Sequence, residues 1–262
     1  MPRLTFGYST LANRLRNIVL PDLKSHQDWD VLITVQSGTA DEPTSNQLSD
    51  GPSGERVRTL GFAGTGVTKL RNQVLTNASG KFLVFGDDDV TFNEKGLQDA
   101  IVQLETTGAA LLLGQAVDEK GKLRKSYPLK AHKLHKLNSA KAATYEMVIN
   151  LEQVRAVGVF FDEEFGAGAP EKYLGDEYIF ICDLLDAGLS CEYAPIVLAT
   201  HPTDSSGSGW GTERDRRARA LIFDRAFKGS RTLPYLARIG FGLRKLGTEL
   251  TFKTFMKFVF KL

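Results

Sequence analysis

Short apolar runs alternate along this chain with stretches in which apolar residues recur every three or four positions. The runs predict strands, and the three- and four-residue spacing predicts amphipathic helices. Their alternation is typical of an α/β domain with a mostly parallel sheet and helices on both faces. The predicted strands cover residues 3–9, 29–35, 57–60, 81–85, 109–117, 145–150 and 189–199, and the predicted helices cover residues 11–20, 67–75, 96–107, 151–157 and 173–187.

Two long segments lack this periodicity. Residues 36–54 are rich in Ser, Thr, Asp, Gly and Pro, which predicts a loop that stays mobile until a ligand binds. Residues 118–142 are basic and polar around His132 and His135, and we interpret them as a flexible loop beside a functional site.

Composition and cysteine use narrow the class of protein. The 262 residues, with 42% hydrophobic and 24% charged positions, are ordinary for one sizeable globular domain and argue against a disordered or fibrous chain. Cys182 and Cys191 form no CxxC pair or metal-ligand cluster, which favours a reduced, cytoplasmic compartment. The N-terminus shows no export signal, and no uncharged apolar run reaches the ~18 residues needed to cross a bilayer.

Charge is divided unevenly along the chain. Residues 214–262 carry 13 Lys and Arg against 3 Asp and Glu, a net charge of +10, whereas residues 1–213 carry a net charge of −8. Such a split indicates a tail that faces an anionic surface, lipid or nucleic acid, and a body that handles a cation-bridged ligand. The tail is predicted to form basic amphipathic helices, which either lie on an anionic membrane or pack against the protein.

Three consecutive carboxylates, Asp87, Asp88 and Asp89, follow on the short apolar run over residues 82–85. Adjacent carboxylates raise one another's pKa unless cations or hydrogen-bond donors neutralise them, so their clustering needs a reason. At the end of a strand, at the mouth of an α/β sheet, they are suited to hold a divalent cation against a phosphate. The triplet therefore indicates nucleotide or diphosphate chemistry, and an acidic turn in water is the alternative.

Separated motifs then occur in an informative order. Gly64 with Arg71-Asn72 precedes the triplet, which precedes Phe161-Asp162-Glu163 and then Gly175-Asp176-Glu177 ahead of an apolar helix. In this combination the chain resembles the family 2 glycosyltransferases of the GT-A fold over about residues 3–210. The resemblance implies a GT-A nucleotide-diphospho-sugar transferase domain over residues 1–213, with residues 214–262 as a helical appendage. Residues 161–168, 175–180, 201–202 and 205–207 further resemble bacterial members that build surface polysaccharides.

On the donor side, the resemblance implies that Asp87 and Asp89 are the ends of the metal-binding Asp-x-Asp motif, with Asp88 in the variable middle place. Asp89 is expected to ligate Mn²⁺ or Mg²⁺ directly, with Asp87 nearer the ribose. Such a cation would neutralise charge on the departing nucleoside diphosphate. Arg71 is expected near the nucleobase, where it orients the first acid; its alternative role is an ion-pair partner of the three Asp.

Glu177 matches the second acid of the family's Glu-Asp pair, the general base that deprotonates the acceptor hydroxyl. Because the pair is reversed here to Asp176-Glu177, the assignment of the base stays open between these two residues, and Glu177 is preferred. The alternative is that both acids only complement the positive end of the helix dipole.

Other positions are implied around the donor. His201 follows the last strand, where similar proteins present a residue to the diphosphate or the metal, although a lone His can equally be structural. The Ser- and Gly-rich segment 205–211 is interpreted as a lid, with Trp210 against a sugar face. Ser9 is assigned to donor binding, and Gln36 stands where the family commonly has an Asp, with an amide able to bond a uracil edge.

These assignments predict an inverting, metal-dependent glycosyltransferase that moves a sugar from a UDP-linked donor to a saccharide or lipid-linked saccharide acceptor in envelope polysaccharide assembly. The expected location is the cytoplasm, at the inner face of the membrane, with no nucleic-acid partner. A nucleotidyltransferase acting on sugar phosphates is an alternative, but residues 7–10 lack its glycine-rich phosphate loop. A non-catalytic lipid- or nucleic-acid-binding module is a third possibility, and retention of both acidic groups argues against it.

Overall fold

A computed structural model describes residues 1–36, 48, 51–202 and 212–261 of the chain. Within these residues lie nine strands and seven α-helices, and short 3-10 helices cover Ala12–Asn17 and Thr144–Glu146. The strands are β1 (Leu4–Leu11), β2 (Trp29–Gln36), β3 (Val57–Phe62), β4 (Phe82–Gly86), β5 (Thr91–Phe92), β6 (Leu111–Val117), β7 (His132–Lys133), β8 (Met147–Asn150) and β9 (Cys191–Thr200). The helices are α1 (Val67–Asn77), α2 (Glu94–Thr107), α3 (Leu151–Ala156), α4 (Asp176–Asp186), α5 (Glu213–Ala226), α6 (Leu233–Leu243) and α7 (Phe252–Phe260).

All nine strands join one sheet in the order β3-β2-β1-β4-β8-β6-β9-β5, with β7 beside β9. The longer pairings, among β3, β2, β1 and β4 and between β6 and β9, are parallel. Strand β8 runs antiparallel between β4 and β6, and β5 and β7 run antiparallel to β9. The sheet is therefore mixed around a parallel half, and in that half the carboxyl ends of β1, β2 and β4 meet at one edge.

Helices cover both faces of the sheet, which confirms the predicted α/β class. Alternate side chains of each strand point to opposite faces, so Phe6 joins a buried cluster with Ile101 of α2 on one face. On the other face, Leu83 joins Val74 of α1 and Phe180 of α4. Strands β1, β2 and β4 are buried on both sides, and the continuous apolar run of β4 reflects this, whereas β3 at the edge of the sheet is mostly half-buried.

The helix predicted over residues 11–20 is wrong. Strand β1 continues to Leu11, which pairs with Gln36, and a 3-10 helix follows from Ala12 to Asn17. Pro21 lies beyond the end of the 3-10 helix, and a proline in this position cannot continue a helix. The apolar spacing that suggested a helix reflects Leu15 and Ile18, which pack into the core of the sheet.

Strands β5 and β7 have only two residues each and left no periodic signal in the sequence. Strand β7 is the one strand that the structure describes within the basic segment 118–142. Most of the predicted loop over residues 36–54, and the Ser- and Gly-rich segment 205–211, lie outside the described residues.

The basic tail packs against the sheet domain. Phe223 of α5 and Phe258 of α7 form one buried cluster with Phe165 and with Tyr178 of α4. Across this contact Arg225 donates hydrogen bonds to Asp162 and Asp183, so tail cations neutralise acids of the body. The inner side of the tail helices thus packs on the protein, as one of the two predictions for the tail states. Contact of their outer side with a membrane remains a prediction.

Candidate active site

A cleft of about 1000 Å³ opens at the carboxyl ends of β1, β2 and β4. It collects residues that are far apart in the sequence, including both acidic motifs. Trp210 lies outside the described residues. The other nine residues singled out from the sequence all line this cleft: Ser9, Gln36, Arg71, Asp87, Asp88, Asp89, Asp176, Glu177 and His201.

The acidic triplet forms a tight turn after β4. The backbone N–H of Val90 donates to the carbonyl of Asp87 at 3.2 Å, which closes the turn over the three Asp. Strand β5 follows at once and pairs with the end of β9, where Thr91 lies opposite Thr200. This pairing brings His201, the residue after β9, beside Asp89, so the two-residue strand that the sequence did not predict positions a candidate ligand.

Arg71 lies between the two acidic groups. Its side chain is buried; Nη2 lies 3.5 Å from Asp87 Oδ1, Nη1 lies 3.6 Å from Glu177 Oε1, and Nη1 donates a hydrogen bond to Asp176 Oδ2. Burial opposes the charge on Arg71, but the surrounding carboxylates prevail and raise its pKa, so it stays a cation. Of the three Asp in the ion-pair alternative, the described contacts of Arg71 include Asp87, whereas Asp88 and Asp89 pair with Arg14. Its contact with a nucleobase remains a prediction.

Two local features hold Arg71 close to the acidic pair Asp176-Glu177. The side chain of Asn72 exchanges two hydrogen bonds with the backbone of Phe161, at 3.0 and 2.8 Å, and fixes the segment before α4 onto α1. Gly175 then begins α4 with φ of 85°, and a Cβ there would lie 2.4 Å from Ile222 of α5. Only glycine fits that conformation and that space, so the start of α4 is set by the tail helix above it.

Asp176 and Glu177 occupy the first turn of α4, as the helix-dipole interpretation requires, but their surroundings differ. The Asp176 side chain is 5% exposed and hydrogen-bonded to Arg71, whereas the Glu177 side chain is 19% exposed and accepts a bond from Thr144 at 3.3 Å. Burial, followed by the charge of Asp176, raises the pKa of Glu177 well above its usual range, although Arg71 opposes this. A carboxylate with a raised pKa is a stronger base, and Glu177 is the more exposed of the two acids that line the cleft.

Asp88 differs from its two neighbours because it is buried. Its Oδ2 lies 2.6 Å from Nε of Arg14, whose Nη2 lies 3.8 Å from Asp89. Burial raises the pKa of Asp88, and Arg14 opposes that shift. Arg14 was missed in the sequence because it lies in the segment mistaken for a helix.

His201 is held in a defined orientation. Its ring stacks on Tyr145 with centroids 4.7 Å apart, and Nδ1 lies 2.8 Å from the carbonyl of Pro202. Donation from Nδ1 to that carbonyl leaves the lone pair of a neutral ring on Nε2, which lies 3.6 Å from Asp89 Oδ1. An imidazole nitrogen and a carboxylate oxygen therefore face the same point of the cleft.

The donor set fits a divalent cation that is shared with a ligand. Among the described residues, no three His, Cys, Asp or Glu side chains are grouped to hold a metal by themselves. Mg²⁺ is commonly bound by one or two carboxylates together with substrate phosphates, and an imidazole suits Mn²⁺. Asp89 and His201, which face each other across 3.6 Å, match that pattern, and the participation of Asp87 remains a prediction.

The cleft also contains basic and apolar side chains that carry no motif. Arg124 donates to the backbone carbonyl of His201 at 2.8 Å, and its Nε is buried without a hydrogen-bond partner among the described residues. Arg219 of α5 and Phe241 of α6 also line the cleft. Only the clustering of basic residues over 118–142 pointed to Arg124, and nothing in the sequence pointed to the two tail residues.

Comparison with protein families gives one match to this chain. The model described as Glycosyl transferase family 2 matches residues 11–158, more than half of the chain. No curated protein sequence matches closely enough to count as a relative.

Solved structures with a similar fold include TarS of S. aureus. One TarS structure has a TM-score of 0.54 at 15% identity, covering 94% of this chain but only 44% of TarS. The TarS 1-349 fragment in complex with UDP has a TM-score of 0.55 at 16% identity over 93% of this chain and 71% of the fragment. The complex of that fragment with UDP-GlcNAc gives 0.51 at 15% identity, over 98% and 81%. At such identities the likeness concerns the fold.

Proposed function

Since the chain belongs to glycosyl transferase family 2, we propose that it transfers a sugar from a UDP-linked donor to a saccharide hydroxyl, with inversion at the anomeric carbon and with a divalent metal. Family membership makes it a glycosyltransferase and decides against the nucleotidyltransferase and the non-catalytic module that the sequence left as alternatives.

The observation that carries the proposal is the convergence of the two acidic groups on Arg71. Asp87 and Glu177 lie 90 positions apart in the sequence, yet both lie within 3.6 Å of one guanidinium, in a cleft large enough for a nucleotide and a sugar. Asp87 and the acids beside it can therefore serve the leaving diphosphate, and Glu177 can serve the attacking hydroxyl. A single displacement needs both groups at one reacting bond.

Glu177 is the proposed general base. As the acceptor oxygen bonds to the anomeric carbon, the bond from that carbon to the diphosphate breaks, and the acceptor proton passes to the Glu177 carboxylate. Glu177 is better placed than Asp176 for this role, because Asp176 is buried and already bonded to Arg71. Asp176 is then a positioning residue that holds Arg71.

Asp89, His201 and Asp87 are the residues that would hold Mn²⁺ or Mg²⁺. A bound cation would supply charge neutralisation at the diphosphate. Arg124 lies next to His201, and its Nε has no hydrogen-bond partner among the described residues. This arginine supports the proposal that the anionic diphosphate binds beside His201. Gln36 and Ser9 line the end of the cleft assigned to the nucleoside.

UDP is proposed as the nucleotide because Gln36 can bond a uracil edge and because TarS structures hold UDP and UDP-GlcNAc. A saccharide or lipid-linked saccharide acceptor in bacterial surface polysaccharide assembly is proposed from the motifs at residues 161–168, 175–180 and 201–202. The proposed location is the cytoplasmic face of the membrane.

Thermal unfolding with a panel of nucleoside diphosphates and nucleotide-sugars, with Mn²⁺ or with EDTA, tests these assignments together. We expect UDP and one UDP-sugar to raise Tm only when the metal is present. Asp89→Ala should abolish that shift, and Asp99→Ala, an exposed acid on α2, should leave it unchanged. A shift that survives EDTA would contradict the metal, and a shift with GDP instead of UDP would contradict only the nucleobase.

A further inference from the structure

Helices α6 and α7 leave a row of apolar side chains outside the fold. On α6 the exposed apolar residues recur at three- and four-residue spacing and lie opposite the buried side of the helix. On α7 they recur every four residues and lie beside the buried side. The exposed apolar side chains are Leu233, Leu236, Ile239 and Leu243 on α6, Leu246 after it, and Phe252, Met256 and Phe260 on α7.

The two rows belong to one surface, which we call the apolar face. The rings of Tyr235 on α6 and Phe260 on α7 are 6.4 Å apart, and both are exposed. The helices also approach closely on their inner side, since a Cβ at Gly242 would lie 2.7 Å from the ring of Phe255. Exposed apolar side chains grouped on two packed helices are typical of a surface that contacts a membrane or another protein.

Cations flank the apolar face. Residues 227–262 contain eight Lys and Arg and a single acid, Glu249. Arg231, Arg244 and Lys253 are exposed, and within the described part of the chain none has an acidic partner. Leucine and phenylalanine beside unpaired lysine and arginine is the arrangement of helices that lie in the headgroup region of an anionic bilayer.

We infer that the apolar face docks the protein onto an anionic lipid surface, with α6 and α7 lying in the plane of the membrane. Charge favours lipid over a second copy of the chain. A twofold dimer through this face would bring Arg244 and Lys253 near the same cations of its partner, whereas anionic headgroups neutralise them. Among the described residues, none of the helices meets the length and hydropathy that a membrane-spanning segment requires.

Docking in this way gives the cleft a fixed position relative to the lipid. Helix α6 lines the cleft through Phe241 and carries the apolar face on its other side. The cleft is therefore separated from the lipid surface by the thickness of a single helix, within reach of an acceptor that is anchored in the membrane. This consequence rests on the proposed function, whereas the docking does not.

Co-sedimentation of the full chain with vesicles tests the docking. We expect binding to vesicles of phosphatidylcholine with 30% phosphatidylglycerol, much weaker binding to pure phosphatidylcholine, and loss of binding as NaCl rises from 0.1 to 0.5 M. Leu236→Gln with Leu243→Gln should lower the partition coefficient at least tenfold, because both side chains would be buried in the interface. Arg244→Gln with Lys253→Gln should lower it more than tenfold on the anionic vesicles.

A matched control uses exposed leucines elsewhere. Leu129 and Leu137 lie in the basic segment 118–142 and are 91% and 64% exposed, against 60% and 56% for Leu236 and Leu243. Leu129→Gln with Leu137→Gln should bind vesicles like the unaltered chain. Equal binding by the Leu236 and Leu243 variant, or no binding by the unaltered chain, overturns the inference.

Light scattering without lipid measures the oligomeric state and so tests whether a second copy of the chain covers the apolar face instead. A dimer that Leu236→Gln with Leu243→Gln converts to monomer, together with absent vesicle binding, would show that a second copy covers the face. The Tm shift with UDP and Mn²⁺, measured on the same variants, reports separately on the proposed function. A failed vesicle assay beside an intact nucleotide shift would thus overturn the docking alone.

Discussion

Arg71 determines much of the chemistry of the cleft. A single buried guanidinium serves Asp87, Asp176 and Glu177, and it lies 5.8 Å from the ring of Phe161. Each carboxylate that it contacts is partly or fully withdrawn from water, so removal of the cation leaves buried negative charge without compensation.

Arg71→Met is therefore expected to lower the free energy of unfolding at pH 7 by about 3–5 kcal/mol. Without the cation the pKa of Glu177 rises further, because Arg71 is the charge that opposes its upward shift. A raised folded-state pKa means stability that is present at low pH and lost as pH rises through that value. Urea unfolding at pH 5 and pH 8 should show a larger loss at pH 8. Arg217→Met, at a loose and exposed ion pair, is the control and should cost less than 1 kcal/mol.

Glu177→Gln is expected to reduce kcat by about 10²–10⁴-fold, because the amide cannot accept the acceptor proton. Binding of UDP with Mn²⁺ should change less than twofold. Turnover measured as nucleotide release, with binding measured by calorimetry, checks both. If Asp176→Asn, but not Glu177→Gln, lost turnover with the fold intact, the base would be Asp176.

The pH dependence of kcat follows from the same residue. Glu177 acts as a base only when ionised, and burial raises its pKa above the usual value of about 4.3. Measured from pH 5 to pH 9, kcat should therefore rise with pH, and the midpoint of this rise should lie closer to neutral pH than the ordinary pKa of a glutamate. A limb at the ordinary carboxylate pKa would contradict the role assigned to burial.

At the scale of elements, the start of α4 joins the site to the tail. Gly175 has a positive φ and lies against Ile222 of α5, and the next two residues are the acidic pair. The position of Glu177 in the cleft thus depends on a helix that begins 36 residues later.

Gly175→Ala should destabilise the protein by more than the ~1 kcal/mol expected for alanine at a positive φ alone. Gly188→Ala is the matched control, since its φ is 82° and a Cβ there meets nothing within 4 Å. In an Ile222→Ala background the cost of Gly175→Ala should fall toward that of the control. Denaturant unfolding of the four variants measures the coupling.

At the scale of the whole molecule, the negatively charged body, residues 1–213, contacts the positively charged tail, residues 214–262, through ion pairs and apolar side chains. The Arg225 guanidinium bonds Asp162 and Asp183 of the body, and Phe223 and Phe258 share a buried cluster with Tyr178. The tail helices are part of the packed structure, and they add a wall to the cleft.

Deletion of residues 231–262 is expected to lower Tm by at least ~10 °C or to make the protein insoluble, because it uncovers the apolar cluster on α4 and α5. Scanning calorimetry of the full and shortened chains checks this. Lys261→Ala removes only an exposed ion pair with Asp224 and should change Tm little. A shortened chain with an unchanged Tm would show that the tail is an independent appendage.

The sequence by itself determined the fold class and most of the cleft. Apolar runs and helical spacing predicted the main strands and helices, and three carboxylates at the end of one strand indicated a site at the mouth of the sheet. Asp87, Asp89, Glu177 and His201 were identified from residue types and from the family they resemble. Those signals are local, and a linear sequence carries them.

Only the tertiary structure decided which of these residues meet. Arg71 and Asp176 are 105 positions apart, and their contact depends on how α1 and α4 pack. Arg14 and Phe241 line the cleft without any motif, and the antiparallel direction of β8 follows from its place between β4 and β6. The tail's apolar residues divide into a buried side and an outward side only when α6 and α7 pack, because packing, and not composition, determines which side of an amphipathic helix is left exposed.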